Sequence, residues 1–224
     1  MEHETNNLNI LAAYTFAKGI DNSSGFGQWV NFANYRLSRS LSAYDMRHNL
    51  VISYVWSVPF DRVFQNAPKR LTQGWQLNGI TRLSTGLPVA INETDDQSLA
   101  GSTNTDVPNL VGPVKTQNPR KPGPNGPNTY FSPEAFASGL LGAFGNANRQ
   151  SFHGPGINNI DFGISKRTTI KESLAFELRF EFFNTANHAQ FNNPDGNFNS
   201  STFGVVTSTR YGGREGQLSA KFYW

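Results

Sequence analysis

Residue types that carry out catalysis are present in this sequence, but their spacing matches no catalytic motif. The four histidines, His3, His48, His153 and His188, lie far apart, and the absence of cysteine excludes thiolate nucleophiles and thiolate metal sites. The sequence contains no HExxH zinc motif, no GxxxxGK[ST] phosphate loop, no GxSxG nucleophile elbow and no dinucleotide-binding fingerprint. We therefore expect a protein that is not an enzyme and that holds no cofactor and no metal.

Two acidic stretches contain the oxygen ligands that calcium prefers. The stretch that begins at Asp195 starts like an EF-hand loop, but its sixth position is Ser200 instead of glycine and its twelfth is Val206 instead of glutamate. The EF-hand interpretation therefore fails. The second stretch, residues 93–96, carries three carboxylates, and both a calcium site and a solvated acidic turn stay open for it.

Aromatic side chains are frequent in the long segment 87–156. Tyr130, Phe131, Phe136 and Phe144 could stack on a sugar or another ligand, or they could pack the loop segments against one another. Both interpretations are open at the level of sequence.

The overall composition indicates a β-rich protein with few charges. Charged residues make up 16%, below the roughly 25% of ordinary soluble domains, and aromatic residues make up 13%. The 25 Asn, 21 Gly and 12 Pro favour turns over helices, so an all-helical fold is excluded. The net charge is +3 and the charges are scattered singly, so we expect no nucleic-acid partner.

Six segments alternate apolar and polar residues with a period of two, which is the pattern of β-strands. In the clearest segment, Glu177, Arg179 and Glu181 lie opposite a row of five apolar side chains. That row consists of Leu174, Phe176, Leu178, Phe180 and Phe182. The predicted strands lie near residues 5–17, 46–58, 72–86, 157–166, 173–183 and 214–224.

The lengths of these strands and of their connections favour a membrane barrel over a soluble β-sandwich. The strands exceed the usual 5 to 6 residues, and a bilayer requires about 9–11 tilted residues. The connections alternate in length: 18–45, 87–156 and 184–213 are long, whereas 59–71 and 167–173 are short, as in outer-membrane barrels. We predict an all-β fold, an antiparallel transmembrane β-barrel fragment, with a β-sandwich that binds carbohydrate or another ligand as the alternative.

A barrel gives the two faces of each strand different surroundings. The apolar face would meet lipid, and the polar face would line the lumen with Arg82, Glu177, Arg179 and Glu181. We expect Glu177, Arg179 and Glu181 to meet neighbouring-strand charges such as Arg82 or Lys166. Known single-chain barrels begin at about eight strands, so six strands imply a fragment whose edges, at 5–17 and 214–224, need further partners.

Several short motifs beside the strands occur in an order that resembles a known family. They are YDMRHN at 44–49, VPF at 58–60, GWQLNGI at 74–80, STGLP at 84–88, YFSPEAF at 130–136, GNANR at 145–149, RFEFFN at 179–184 and NHAQF at 187–191. Together they resemble the C-terminal part of a TonB-dependent outer-membrane receptor, specifically the Oar-like barrels. The resemblance covers nearly the whole chain from about residue 8 onward.

The resemblance implies a location in the cell outer membrane of a Gram-negative bacterium and a barrel of about 22 strands around an N-terminal plug. Such a barrel moves a large solute, here unidentified, with energy relayed by the TonB complex through the plug. Residues 1–224 would supply the last strands, and nothing in them resembles the plug, the TonB-contacting segment or a signal peptide. The final alternation resembles the β-signal read by the barrel-assembly machinery, although its last residue is usually Phe. Its residues here are Leu218, Ala220, Phe222 and Trp224.

Overall fold

A computed structural model describes residues 2–5, 7–25, 31, 34–101 and 106–224, and for residues 2–5 it describes the backbone alone. The strands are β1 (Glu2–Thr5), β2 (Leu8–Phe16), β3 (Ile20–Asp21), β4 (Ser40–Leu41), β5 (His48–Val58), β6 (Trp75–Ser84), β7 (Asn109–Leu110), β8 (Phe136–Ala137), β9 (Ile157–Lys171), β10 (Leu174–Phe183) and β11 (Glu215–Tyr223). The helices are α1 (Tyr35–Ser38), α2 (Phe60–Val63) and α3 (Lys69–Thr72), with a 3-10 turn at Pro133–Ala135. Within the described ranges, no helix is long and apolar enough to cross a membrane.

Seven of the strands form one antiparallel sheet in the order β1-β2-β5-β6-β9-β10-β11. Each long strand pairs with the long strand that precedes it in the chain, so the sheet is a meander. The strand pairs β3–β4 and β7–β8 are separate two-stranded ribbons inside the connections. The predicted fold class is confirmed, and the sheet does not close on itself among the described residues.

Connections of two kinds leave the sheet at its two ends. At one end, which we call the short-turn end, the connections are residues 6–7, 59–74 and 172–173. At the other, which we call the loop end, they are residues 17–47, 85–156 and 184–214. The chain therefore has the length asymmetry that its sequence predicts.

Two details of the strands differ from the sequence prediction. The segment predicted as one strand at 5–17 contains the last residue of β1, a turn and the whole of β2, and β1 pairs with residues 8–11 of β2. This pairing covers part of an edge that was expected to be open. Strand β9 continues to Lys171 instead of ending near residue 166, because its charged residues remain paired with β10 up to a two-residue turn.

The alternative of a soluble β-sandwich is wrong for this chain. A sandwich buries the apolar faces of two sheets against each other. Here the long strands all belong to a single sheet, and large side chains on its apolar face are exposed. Tyr14 is 61% exposed, Phe16 is 62% exposed and Leu218 is 61% exposed. An apolar surface this extensive requires an apolar surrounding.

Gly79 lies on the apolar face directly opposite Tyr54 of the neighbouring strand. A Cβ atom on Gly79 would stand 2.5 Å from the Tyr54 hydroxyl oxygen and 2.7 Å from the carbonyl oxygen of Asp161. These separations are shorter than a real Cβ atom tolerates. The absence of a side chain at Gly79 therefore provides the space that the Tyr54 ring occupies.

Candidate functional site

The register of the sheet sorts the side chains of every long strand onto two faces. Residues directly opposite one another in adjacent strands share a face. One such row crosses the sheet through apolar side chains. It contains Leu8, Trp56, Leu77, Ile164, Phe180 and Leu218. The opposite face is predominantly polar and carries the predicted charged residues, so we describe it as the candidate functional surface.

A charged ladder on the polar face joins β10 to β11. Arg179 contacts both neighbouring carboxylates, with its Nη2 atom 2.8 Å from Glu177 Oε1 and its Nη1 atom 3.5 Å from Glu181 Oε1. Tyr223 donates its hydroxyl to Glu177 Oε2 at 2.9 Å, and Gln217 donates its amide to Glu181 Oε2 at 2.5 Å. Both carboxylates are therefore satisfied by one cation and one cross-strand donor.

The predicted contact of these carboxylates with Arg82 or Lys166 is wrong. Arg82 lies on the polar face, but its strand is separated from β10 by β9, and its Nε atom donates to Asn49 Oδ1 at 3.3 Å. Lys166 has the parity of the apolar residues of β9 and lies opposite Trp75. Its ammonium stands 5.8 Å from the Trp75 ring and donates to the carbonyl of Gln73 at the short-turn end, as long cationic side chains do at the boundary of an apolar surface.

Arg167 is a member of the charged surface that sequence reasoning missed, because the segment 167–173 was expected to be a turn. The guanidinium carbon of Arg167 stands 4.5 Å from the centre of the Tyr223 ring, a cation–π contact next to Glu177. The alternation of β9 continues through Arg167, and that periodicity is the signal from which the residue could have been placed.

Three cavities open along the polar face. A cavity of about 450 Å³ at the short-turn end is lined by residues that include Asp61, Arg62, Arg167, Glu177 and Arg179. A cavity of about 430 Å³ at the loop end is lined by residues that include Arg82, Asp161, Phe183, Tyr211 and Glu215. All four predicted polar-face residues therefore line a cavity: Arg82 at the loop end, Glu177 and Arg179 at the short-turn end, and Glu181 in a smaller cavity of about 190 Å³ that it shares with Glu177 and Arg179.

The long connections at the loop end pack into a compact unit with its own hydrophobic core. We call the residues 85–101, 106–156 and 184–214 the loop assembly. Phe131 is fully buried at its centre, and its ring lies 5.8 Å from Phe136, 5.1 Å from Phe152 and 5.0 Å from Phe203. The buried core also contains Val89, Ile91, Ala135 and Ala147. This packing stabilises connections that would otherwise be too long to hold one conformation.

Three of the loop aromatic residues for which the sequence leaves ligand stacking and loop packing both open are part of the packing of the loop assembly. Phe131 and Phe136 are buried in the core of the loop assembly. The hydroxyl of the partly buried Tyr130 donates to the carbonyl of His153 at 3.0 Å. These three residues therefore pack the loop segments against one another, because neighbouring residues contact their rings.

The acidic stretches at the loop end serve mainly as local hydrogen-bond acceptors. Asp96 accepts from the backbone of Ala100 and Gly101, as in an acidic turn. Glu93 is buried, and burial, with the nearby charge of Asp106, raises the pKa of its carboxyl group.

The Asp195 stretch is likewise a turn. Its carboxylate accepts from the hydroxyl of Thr202 at 2.6 Å and from the backbone N–H of Asn197 at 3.0 Å. Burial would raise the pKa of Asp195, but the hydrogen bonds from Ser200, Thr202 and Asn197 outweigh burial and hold the pKa below its ordinary value.

Two histidines make close side-chain contacts, one with a carboxylate and one with a phenol hydroxyl. The Nε2 atom of His153 lies 2.8 Å from Asp45 Oδ2, and the Nδ1 atom of His48 lies 2.8 Å from the Tyr14 hydroxyl. Among the described residues, no group of three or more His, Asp or Glu side chains is arranged to hold a metal ion.

The last strand places three of the four predicted β-signal residues on one face. Leu218, Ala220 and Phe222 lie opposite Phe180, Leu178 and Phe176 of β10, so they continue its apolar row. Trp224 follows the end of β11 and is almost fully exposed.

The fold and the two faces define a class of protein: an outer-membrane β-barrel protein, whose sheet has one apolar face, one charged face, short turns at one end and long loops at the other. The family of the outer membrane beta barrel domain matches residues 1–217, and the chain belongs to this family. Its location is the outer membrane. No curated protein and no solved structure gives a match.

Proposed function

We propose that the chain forms part of a TonB-dependent transport barrel that moves a large solute across the outer membrane. The observation that carries this proposal is the charged polar face of the sheet, which runs from one cavity at the short-turn end to another beneath a packed loop assembly. A passage for a hydrophilic solute needs such a polar wall and a structured entrance. The motif order that resembles the Oar-like receptors supports the same function.

In this proposal, the polar face is the wall of the lumen and the apolar face meets lipid. Arg82, Glu177, Arg179 and Glu181 are then lumen-facing residues. Backbone groups in a bilayer must all be paired, and β11 has an open edge among the described residues. We therefore propose that strands outside this sheet complete the cylinder and that a plug occupies the lumen.

The partners follow from this arrangement. Outer-membrane lipid surrounds the apolar face, and the TonB complex acts through the plug. The barrel-assembly machinery recognises the last strand, with Leu218, Ala220 and Phe222 of its apolar row and the following residue Trp224 as its signal. The proposed role involves no catalysis and no cofactor, and Glu177 and Glu181 of the polar face are engaged with Arg179 and cross-strand donors.

The experiment is a comparison of solutes that remain in the growth medium. A strain that lacks the gene, a strain without active TonB and the parent strain are grown on the same complex medium, and the residual solutes are measured by mass spectrometry. We expect a set of solutes that the parent removes and that both mutant strains leave behind. Re-expression of the protein should restore their removal. A deletion strain that removes the same solutes as the parent would contradict the proposal.

A further inference from the structure

A further cavity, at the loop end, is lined by cations and hydrogen-bond donors and shares no lining residue with the three cavities of the polar face. We call this cavity of about 620 Å³ the basic pocket. Its lining includes Lys18, Arg36, Arg39, Arg47, Gln150 and His153. No carboxylate belongs to its lining among the described residues, although the whole chain has a net charge of only +3.

The basic pocket lies directly beyond the ends of two membrane strands. Strand β2 ends at Phe16 and strand β5 begins at His48, so the connection between them forms one wall. The other wall is the segment 148–153 of the loop assembly. The two walls are joined where the backbone N–H of Leu41 donates to the carbonyl of Gln150 at 3.1 Å. The pocket is thus held by backbone contacts between segments that are distant in sequence.

One buried carboxylate, that of Asp45, contacts two of the residues that line the pocket. Asp45 lies 2.8 Å from His153 and 3.8 Å from Arg47, and it accepts the backbone N–H of Gly19 at 2.7 Å. A second carboxylate of this connection, Asp21, is bound to Arg149 at 2.7 Å. Asp45 is therefore the carboxylate of this connection that remains to balance the four Lys and Arg side chains of the pocket.

Three cations of the pocket have no ion pair in the described part of the chain. They are Lys18, Arg36 and Arg39, all of which are exposed. The segments 26–30 and 32–33 of the same connection contain no charged residue, so they supply no carboxylate to these cations. The excess of Lys and Arg over Asp and Glu in residues 17–47 is the sequence signal for this pocket.

Unpaired cations gathered around one cavity repel one another, and a bound anion relieves that repulsion. Guanidinium groups match carboxylate and phosphate oxygens in a bidentate geometry. The side-chain oxygen of Gln150 is already bound by Arg149 at 2.9 Å, which leaves the amide N–H groups of Gln150 as donors. The lining therefore favours an acceptor-only ligand.

We propose that the basic pocket binds a multiply charged oxyanion, a phosphate or polycarboxylate group. Such a group is carried by a dissolved solute or by the headgroup of an outer-membrane lipid beside the ends of β2 and β5. This inference stands on the geometry of the pocket, and its binding test does not require transport, so the two proposals fail independently.

The test is a calorimetric titration with sodium pyrophosphate at low ionic strength. The purified protein is kept in uncharged detergent. We expect one site, with binding that weakens as sodium chloride is added. Arg36→Gln and Arg39→Gln should each weaken binding by about tenfold or more, because each loses a charge-assisted hydrogen bond. Lys121→Gln removes the same charge from an exposed position elsewhere in the loop assembly and should change binding less than about twofold.

Two further arms distinguish the sources of the oxyanion. Outer-membrane lipid that copurifies with the wild-type protein but not with Arg36→Gln, and that pyrophosphate displaces, supports binding of a lipid phosphate. Equal lipid in both proteins, with pyrophosphate binding retained in the wild type, supports a dissolved solute. The proposal would be overturned if the wild-type protein did not bind pyrophosphate, either in the titration or by displacement of lipid. It would also be overturned if Lys121→Gln weakened pyrophosphate binding as much as the two arginine variants do. Circular dichroism of each variant verifies that the sheet is intact.

Discussion

Replacement of Phe180 by arginine tests which face of the sheet meets lipid. Phe180 lies in β10 between Ile164 of β9 and Leu218 of β11, in a row of apolar side chains. Its side chain is 42% exposed in the sheet, so lipid is the surrounding that would cover it. The neighbouring residue Arg179 points to the opposite face and provides a matched reverse exchange, Arg179→Phe.

The two substitutions differ in cost. An arginine on the lipid face costs roughly 2–4 kcal/mol at the bilayer midplane, with smaller values near the interfaces. At about 1.4 kcal/mol per factor of ten, this cost lowers the folding equilibrium constant by about 30-fold to almost 1000-fold. Arg179→Phe loses ion pairs of 2.8 and 3.5 Å, but the Arg179 side chain is 42% exposed, and such pairs contribute about 0–1 kcal/mol each.

The assay is the urea dependence of folding in phosphatidylcholine vesicles, followed by heat-modifiable gel mobility. The same two variants are also assembled in cells, where the folded fraction in the outer membrane is compared with the wild type. We expect Phe180→Arg to lose far more folded protein than Arg179→Phe, and Phe180→Leu to fold like the wild type. Equal losses, or a greater loss for Arg179→Phe, would show that the two faces are assigned the wrong way round.

Three further predictions concern the loop assembly and the sheet. Because the pKa of Glu93 is raised, its stabilising contribution is fully present below its ordinary value of 4.5 and is lost as the pH rises through the raised value. Glu93→Gln should therefore slow proteolysis of the loop assembly near neutral pH and have little effect below pH 4.5, and an equal effect at both would contradict this. Phe131→Ala should cost the loop assembly roughly 3–5 kcal/mol, so that proteases cleave it on intact cells while the sheet keeps its heat-modifiable mobility. Leu141→Ala, at a position that is 74% exposed, is the control, and cleavage equal to that of Phe131→Ala would refute the loop core. Gly79→Val should lower the free energy of unfolding by roughly 1–3 kcal/mol in the urea assay, whereas Thr81→Val on the same strand and face should leave it unchanged. Equal urea midpoints for the two variants would mean that the missing side chain at Gly79 does not matter for stability.

The periodicity of the sequence by itself determined which residues share a face of the sheet. Side chains alternate across a strand, so the alternation at 173–183 already placed Glu177 and Arg179 opposite Phe176 and Phe180. The same periodicity, with the unequal connections, determined the fold class. It located the strands better than their ends, because charged residues such as Arg167 occur both in turns and in paired strand extensions.

Tertiary structure decided which distant side chains meet. Glu177 contacts Tyr223, and Asp45 contacts His153, 108 positions away, because the sheet register and the packing of the loops bring these segments together. A local pattern has a range of only a few residues and contains no information on register between strands that long connections separate. For the same reason, the basic pocket and the buried Phe131 core emerge only when the connections are folded onto one another.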